Sequence, residues 1–337
     1  MNSHHHFAHT FARYVRGADR VLLTITKNPD GDSIGSMLAA AHAVRHLGAA
    51  VDCFTPDPIP SMFHYLTNDQ PIVRDLPQSI HAYPLIVIFD TGDIKRTPLA
   101  DELIKRNPQK TVVINIDHHP TVTDYRGQSA VDHNFTDTTS AATTELLYKM
   151  FEIIAIPLDH HVATSLLTGI LTDTNHFANL NTTTESFNIA ARLMAKGADH
   201  RTITQATMRN KSLGTLQLWG RALSRLKINR RNGVVSTVIT LHDLAECQVD
   251  KEATTGIANF LNSLGEGKIA LVLQEEPGNI VKGSFRTTSD LNVADIAEKF
   301  GGGGHAKAAG FTIPGQLVKT KNGWRVEALP LVNNSKV

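Results

Sequence analysis

The stretch Val21-Leu22-Leu23-Thr24-Ile25-Thr26-Lys27-Asn28-Pro29-Asp30-Gly31-Asp32-Ser33-Ile34-Gly35-Ser36 decides the fold. Its first five residues are apolar and β-branched with almost no polar interruption, the pattern of a strand buried on both faces. Two further runs repeat it, Leu85-Ile86-Val87-Ile88-Phe89 and Val112-Val113-Ile114-Asn115-Ile116, and an aspartate closely follows each of the three. Helical patterns lie between the runs, clearest over Ser36 to Leu47 with Gly48 as a stop, and Val51 to Phe54 reads as a short strand before Pro56, Pro58 and Pro60. Strands alternating with helices predict an α/β domain with a doubly wound parallel sheet. Ligands of such sheets bind outside the carboxyl ends of the strands, where these aspartates fall.

From Thr139 to Leu226 the pattern is helical, with helices expected over Ala141 to Phe151, Asp159 to Leu171, Thr184 to Lys196 and Leu213 to Leu226. Strands are then expected over Gly233 to Leu241, Ile269 to Gln274 and Lys282 to Arg286, and helices over Ala253 to Leu264 and Val293 to Phe300, which together make a smaller second α/β domain. The expected division is a first domain over 1–205, a linker helix over 206–227, a second domain over 228–315 and an irregular tail over 316–337. The length of 337 residues agrees with two domains at roughly 150 residues each. With 33 Lys and Arg against 32 Asp and Glu, the formal charge of +1 provides no field to hold long nucleic acid. The only two cysteines, Cys53 and Cys247, indicate neither a disulfide framework nor a thiolate zinc site. No run approaches the ~18 apolar residues of a membrane span, and the start of the chain, with His4, His5 and His6, reads as a polar terminus without an export signal. A cytoplasmic protein is expected.

Four acidic segments and one glycine run carry the chemistry. Asp30-Gly31-Asp32 is either a tight turn or a pair of ligands, and its place after a strand favours ligands. Asp90 follows the second strand in Asp90-Thr91-Gly92-Asp93, where an aspartate either caps the next helix or binds a metal. Asp117-His118-His119 ends the third strand, a place where three polar groups have no packing reason to meet. Asp173, in Thr172-Asp173-Thr174-Asn175, ends an apolar helix, where the helix dipole disfavours a carboxylate unless a cation offsets it. Oxygen-rich ligation with one imidazole suits manganese or magnesium better than zinc. Two such ions would favour hydrolysis at phosphorus, with a carboxylate between them, and Asp90 is the best-placed residue for that bridge. The run Gly301-Gly302-Gly303-Gly304-His305 reads either as a flexible link or as a backbone surface whose amides face phosphate, with Arg286 able to fork onto the same phosphate.

These motifs, in this order, resemble the DHH phosphoesterase superfamily, named for the motif present here as Asp117-His118-His119, and Gly301 to Phe311 is similar to the signature of the DHH-associated C-terminal domain. The resemblance extends over nearly the whole chain and is nearest to the short bacterial enzymes that degrade very short oligonucleotides and dephosphorylate 3'-phosphoadenosine phosphate. It implies an active site in a cleft between two domains, a homodimer, and two manganese ions, with magnesium as the substitute. It further implies that Asp30 and Asp32 hold one ion each, that Asp90 bridges, and that His118 and Asp173 complete the second ion. His119 would contact the scissile phosphate or protonate the leaving group, Asp117 would orient the pair, and Arg286, Gly303, Gly304 and His305 would hold a terminal phosphate.

The chain departs from the family pattern at Thr26, where a metal-binding histidine is usual and Lys27 follows, at Ala141 and Ala142 in place of a serine pair, and at Ala178 in place of an arginine. The expected function is therefore a metal-dependent phosphodiesterase acting on short oligoribonucleotides. Within the enzyme class, hydrolysis of linear dinucleotides from cyclic-dinucleotide turnover or of pyrophosphate are the variants. A catalytically weak nucleotide-binding or sensing protein is the reading from another class.

Overall fold

A computed structural model describes residues 3–67, 70–209, 211–262, 264–321 and 323–327. The chain divides between residues 210 and 211 into two compact units. Among the described residues no helix is long and apolar enough to cross a membrane.

The first unit runs α1 (Ser3–Arg16), β1 (Arg20–Ile25), α2 (Gly31–His46), β2 (Ala50–Phe54), β3 (Ile72–Val73), β4 (Leu85–Phe89), α3 (Ala100–Leu103), β5 (Val112–Asp117), the small hairpin β6 (Asp124–Tyr125) and β7 (Gln128–Ser129), and β8 (His133–Thr136). The helices α4 (Thr143–Ile153), α5 (His160–Asp173), α6 (Thr184–Ala195) and α7 (His200–Met208) follow. Six strands form one parallel sheet in the order β3-β2-β1-β4-β5-β8. The order reverses between β1 and β4, so the carboxyl ends of these two strands flank the crevice in which doubly wound sheets bind ligands.

Alternation along the strands explains the continuous apolar runs. Val21, Leu23 and Ile25 of β1 and Leu85, Val87 and Phe89 of β4 enter the larger core, whereas Leu22, Ile86 and Ile88 enter the smaller one on the opposite face. One element was not anticipated, and another begins earlier than expected. The polar terminus is helix α1, which buries Ala8, Phe11 and Val15 at helical spacing and stacks Phe7 on Phe135 at 4.5 Å. Helix α2 begins at Gly31, five residues earlier than expected, because the Asp30 carboxylate caps it by accepting from the amides of Asp32 and Ser33. Helices α2 and α5 cross without room for a side chain between them. A Cβ on Gly35 would stand 2.4 Å from the Ser165 carbonyl oxygen, and one on Gly169 would stand 2.3 Å from Asp32 Oδ1.

The second unit holds α8 (Leu213–Ser224), β9 (Lys227–Asn229), β10 (Val234–Ile239), α9 (Leu241–Glu246), α10 (Ile257–Leu261), β11 (Ile269–Glu276), β12 (Ile280–Arg286), α11 (Ala294–Glu298), β13 (Gly303–His305), β14 (Ala308–Pro314), β15 (Gln316–Thr320) and β16 (Gly323–Glu327). Its main sheet has the order β13-β14-β12-β11-β10-β9, with β10 and β11 parallel and the remaining pairs antiparallel. Helix α8, expected within a linker, packs Leu218 and Ala222 into this unit's core. The tail expected to be irregular contains the hairpin β15–β16, whose Leu317 is buried beside Val238 and Val281. Trp324 and Val326 of β16 pack on the same cluster, but strands of five residues give only a short period-2 signal.

Candidate metal centre and anion surface

The four acidic segments converge at the carboxyl ends of β1, β4 and β5 and the end of α5. Asp32 is 1% exposed, and its two oxygens accept from the backbone amides of Thr143 (2.7 Å) and Thr144 (3.0 Å) and from Thr144 Oγ1 (2.7 Å), all in the first turn of α4. The amino terminus of that helix favours an anion there. Asp90 sits just past β4 with φ at +52°, a left-handed conformation that is costly outside glycine and is held by its amide donating to the Ile116 carbonyl at 3.1 Å. Asp117, fully buried, accepts from the amides of Thr91 (3.0 Å), Gly92 (2.5 Å) and His119 (2.8 Å), and so ties the turn after β4 to the turn after β5.

His118 supplies the decisive observation. Its Nδ1 lies 3.2 Å from the Ser140 carbonyl, which fixes the ring, while its buried Nε2 has no hydrogen-bond partner and faces Asp173 Oδ2 at 3.3 Å and Asp90 Oδ1 at 3.8 Å. A buried polar nitrogen without a partner calls for an explanation, and an imidazole fixed through its other nitrogen is the usual form of a metal ligand. Two groups of three donors lie within 4.8 Å of one another, Asp32 with His118 and Asp173, and Asp90 with His118 and His119. Both contain His118.

The electrostatics agree. Burial and the neighbouring charges of Asp90 and Asp30 push Asp32 up to about 8, and burial with the charges of Asp32 and Asp90 raises Asp173 well above the usual carboxylate range. A dication would offset both causes. Against the burial that would raise it, contacts with His119 and His118 hold Asp90 down at about 2. Burial opposes a charge on His119 too, yet Nδ1 contacts with Asp117 at 3.0 Å and Asp90 at 3.4 Å push it up to about 11, so its ring is protonated at neutral pH.

Of the expected metal ligands, Asp32, Asp90, His118 and Asp173 are brought together, whereas Asp30 joins neither donor group. Two residues of this neighbourhood escaped the sequence reading. Ser33 Oγ lies 2.9 Å from Asp30 Oδ1 and 2.7 Å from Asp90 Oδ2. Asn181 donates to the Ala141 carbonyl at 3.0 Å and reaches the carbonyl and the carboxylate of Asp173 at 3.4 Å. Neither lies in a motif that a sequence scan weights.

The second half of the glycine run enters strand β13, while Gly301 and Gly302 form the turn that leads into it. Gly304 has φ at +144°, and a Cβ there would meet the Ala308 carbonyl oxygen at 2.6 Å, while one on Gly302 would meet the Gly310 carbonyl oxygen at 2.1 Å. Register places His305 opposite Ala308 and Ala308 opposite Arg286, so the three side chains share one face in a single row. Gly303 and Gly310 form the next row on that face, and a Cβ on Gly303 would meet nothing within 4 Å. Arg286 Nε donates to Asn259 Oδ1 at 2.7 Å and Nη1 to the Phe285 carbonyl at 2.8 Å, and burial lowers its pKa. The result is an open floor of small residues between a fixed guanidinium and an imidazole.

A parallel sheet with a carboxylate and imidazole cluster at its switch point, followed by a unit with a glycine-floored sheet, defines a class of metal-binding two-domain proteins. The comparisons identify it. Residues 20–170 match the DHH family, N-terminal domain, and residues 232–322 match the DHHA1 domain, so the chain is built of a DHH domain followed by a DHHA1 domain. It is 29% identical to the bifunctional oligoribonuclease and PAP phosphatase NrnA of Thermus thermophilus over 86% of this chain and 82% of that one. The protein of the same description from Mycoplasma genitalium is 26% identical over 89% of this chain and 90% of its own. Among solved structures, an exopolyphosphatase-related protein from Bacteroides fragilis superposes with a TM-score of 0.82 over 92% of this chain and 91% of that one at 22% identity, and so shares the fold.

Proposed function

We propose that this chain is a manganese-dependent phosphodiesterase that hydrolyses short oligoribonucleotides, dinucleotides above all, to mononucleotides, and that it also removes a phosphate from 3'-phosphoadenosine phosphate. The observation that carries this reading is the unpartnered His118 Nε2 facing the carboxylates of Asp90 and Asp173. That donor set fits a hard divalent cation with one nitrogen ligand, manganese or magnesium, held by Asp32, Asp90, His118 and Asp173. Such an ion, when bound, acidifies water and neutralises charge on phosphoryl oxygens.

The chain's own groups do the rest. Protonated His119 contacts the scissile phosphate or donates a proton to the leaving oxygen, and Asp117 holds its Nδ1 so that the ring cannot turn away. Arg286 and His305 grip a terminal phosphate over the floor of Gly303 and Gly304, where backbone can approach oxygen closely. Recognition of one phosphorylated end selects short substrates without a basic groove, in keeping with a net charge of +1. A cytoplasmic homodimer belongs to the same reading, and exposed Phe187 and Met194, two turns apart on one face of α6, offer an apolar contact.

Thr26 favours a second reading, a weak enzyme or nucleotide sensor, because a threonine hydroxyl is a poor substitute for a ligating imidazole. One assay separates the two: manganese-dependent hydrolysis of 5'-phosphorylated RNA dinucleotides beside longer RNA, short DNA, linear dinucleotides, 3'-phosphoadenosine phosphate and pyrophosphate. Preference for dinucleotides supports the phosphodiesterase. Binding of nucleotides without turnover of any substrate overturns it in favour of the sensor.

A further inference from the structure

We infer that this chain holds one divalent ion, not two, and that Ser33 with Thr26 closes the side of Asp90 on which a second ion would sit. The inference rests on the metal-dependent reading above and deepens it. Asp90 has two sides. Its Oδ1 faces His118 Nε2 at 3.8 Å, and it shares with Asp32 and Asp173 the neighbourhood of that imidazole. Its Oδ2 instead accepts from the Ser33 hydroxyl at 2.7 Å.

The same hydroxyl lies 2.9 Å from Asp30 Oδ1, so Ser33 Oγ stands between the two carboxylates that a second ion would have to bridge. Asp30 Oδ1 is further occupied by the amides of Asp32 at 3.1 Å and Ser33 at 3.0 Å, which make it the cap of α2. Thr26, 6% exposed, adds no nitrogen, and its hydroxyl turns to the Lys27 carbonyl at 3.4 Å. Among the described residues, no group of three close metal donors includes Asp30. A position with no imidazole, whose facing oxygens Asp30 Oδ1 and Asp90 Oδ2 are already taken by a hydroxyl and, at Asp30, by capping amides, offers too few free ligands to hold manganese against water. The His118 side offers one nitrogen with the carboxylates of Asp32 and Asp173 close about it, and Asp90 Oδ1 faces the same nitrogen at 3.8 Å, so it meets that need.

The test is the manganese stoichiometry of the full chain by titration calorimetry, with electron paramagnetic resonance of the same samples. The wild-type chain should bind one ion with an uncoupled spectrum. Thr26→His combined with Ser33→Ala should raise the stoichiometry to two and give an exchange-coupled spectrum, since the two ions would share Asp90. Two ions in the wild-type chain would overturn the inference and leave the metal-dependent reading standing, whereas no bound ion would overturn both. If the double variant does not fold, Asp30→Asn keeps a capping side chain at that position. It should still bind one ion with unchanged affinity, and loss of that ion would place Asp30 among the ligands and refute the assignment.

Discussion

The carboxyl ends of β1, β4 and β5 and the face formed by β12, β14 and β13 are built by opposite means. The first gathers charged side chains where burial makes each charge costly, and the strain shows in Asp32 pushed up to about 8 and in the left-handed Asp90. The second reduces side chains, with Ala308 between Arg286 and His305 in one row and Gly303 beside Gly310 in the next. On the reading proposed above, the first would take a cation and the second an anion. The lesson is that a cation site needs side-chain charge held by second partners such as Asp117 and Asn181, whereas an anion site can be made from strand register and small residues.

The contrast is testable from its strongest consequence downward. Asp90→Ala removes the carboxylate common to both sides of the centre and should reduce metal-dependent hydrolysis to the buffer rate. Retained turnover would show that the cluster is structural. Arg286→Ala should raise KM for 5'-phosphorylated dinucleotides by about 10- to 100-fold, as expected for a lost charge-assisted contact, and leave a simple phosphodiester without a terminal phosphate unaffected. Equal changes for both substrates would remove the anion role from the second unit.

Smaller effects probe the supporting groups. Asn181→Ala should weaken manganese affinity by about tenfold, at the low end for a residue that steadies a ligand, measured by calorimetry. An unchanged affinity would reduce Asn181 to a loop contact. Asp32 at about 8 lies above its ordinary value of 3.8, so the folded state keeps a proton that the unfolded state releases. His119 at about 11 against 6.5 acts with the same sign in the neutral range. Metal-free Tm should therefore fall as pH rises from about 6.5 to 8, and saturating manganese should flatten that slope. A metal-free Tm that rises over this window would contradict the packed carboxylates.

Much of the architecture was legible because it rests on periodicity. Leu85 to Phe89 was marked residue for residue, since a strand buried on both faces leaves an uninterrupted apolar run. Asp32, Asp90, His118 and Asp173 were legible as a group because each sits at the end of an element, where a buried carboxylate or imidazole has no packing reason. Helix α1 was missed because its histidines, of which His5, His6 and His9 are exposed, dominate the composition while Ala8, Phe11 and Val15 do the burying. Asp30 was read as a ligand, and its capping hydrogen bonds could not be foreseen, because a cap and a ligand present the same residue in the same place. Ser33 was invisible for a related reason: a serine in a turn becomes informative only when the distance to Asp90 is known.

The crossing of α2 and α5 leads to a different consequence, in mutational tolerance. A methyl group on Gly169 would press into the Asp32 carboxylate, and one on Gly31 would meet Thr172 Oγ1 at 2.5 Å. These glycines offer no side-chain donor and carry no charge, yet they pack where α2 and α5 bring Asp32 towards Asp173. A library of variants screened for metal uptake should find Gly169 as intolerant of alanine as the carboxylates are, so a map of damaging substitutions would draw a site wider than its chemistry. Drift at the helix crossing would then change the centre's geometry while every ligand remained in place.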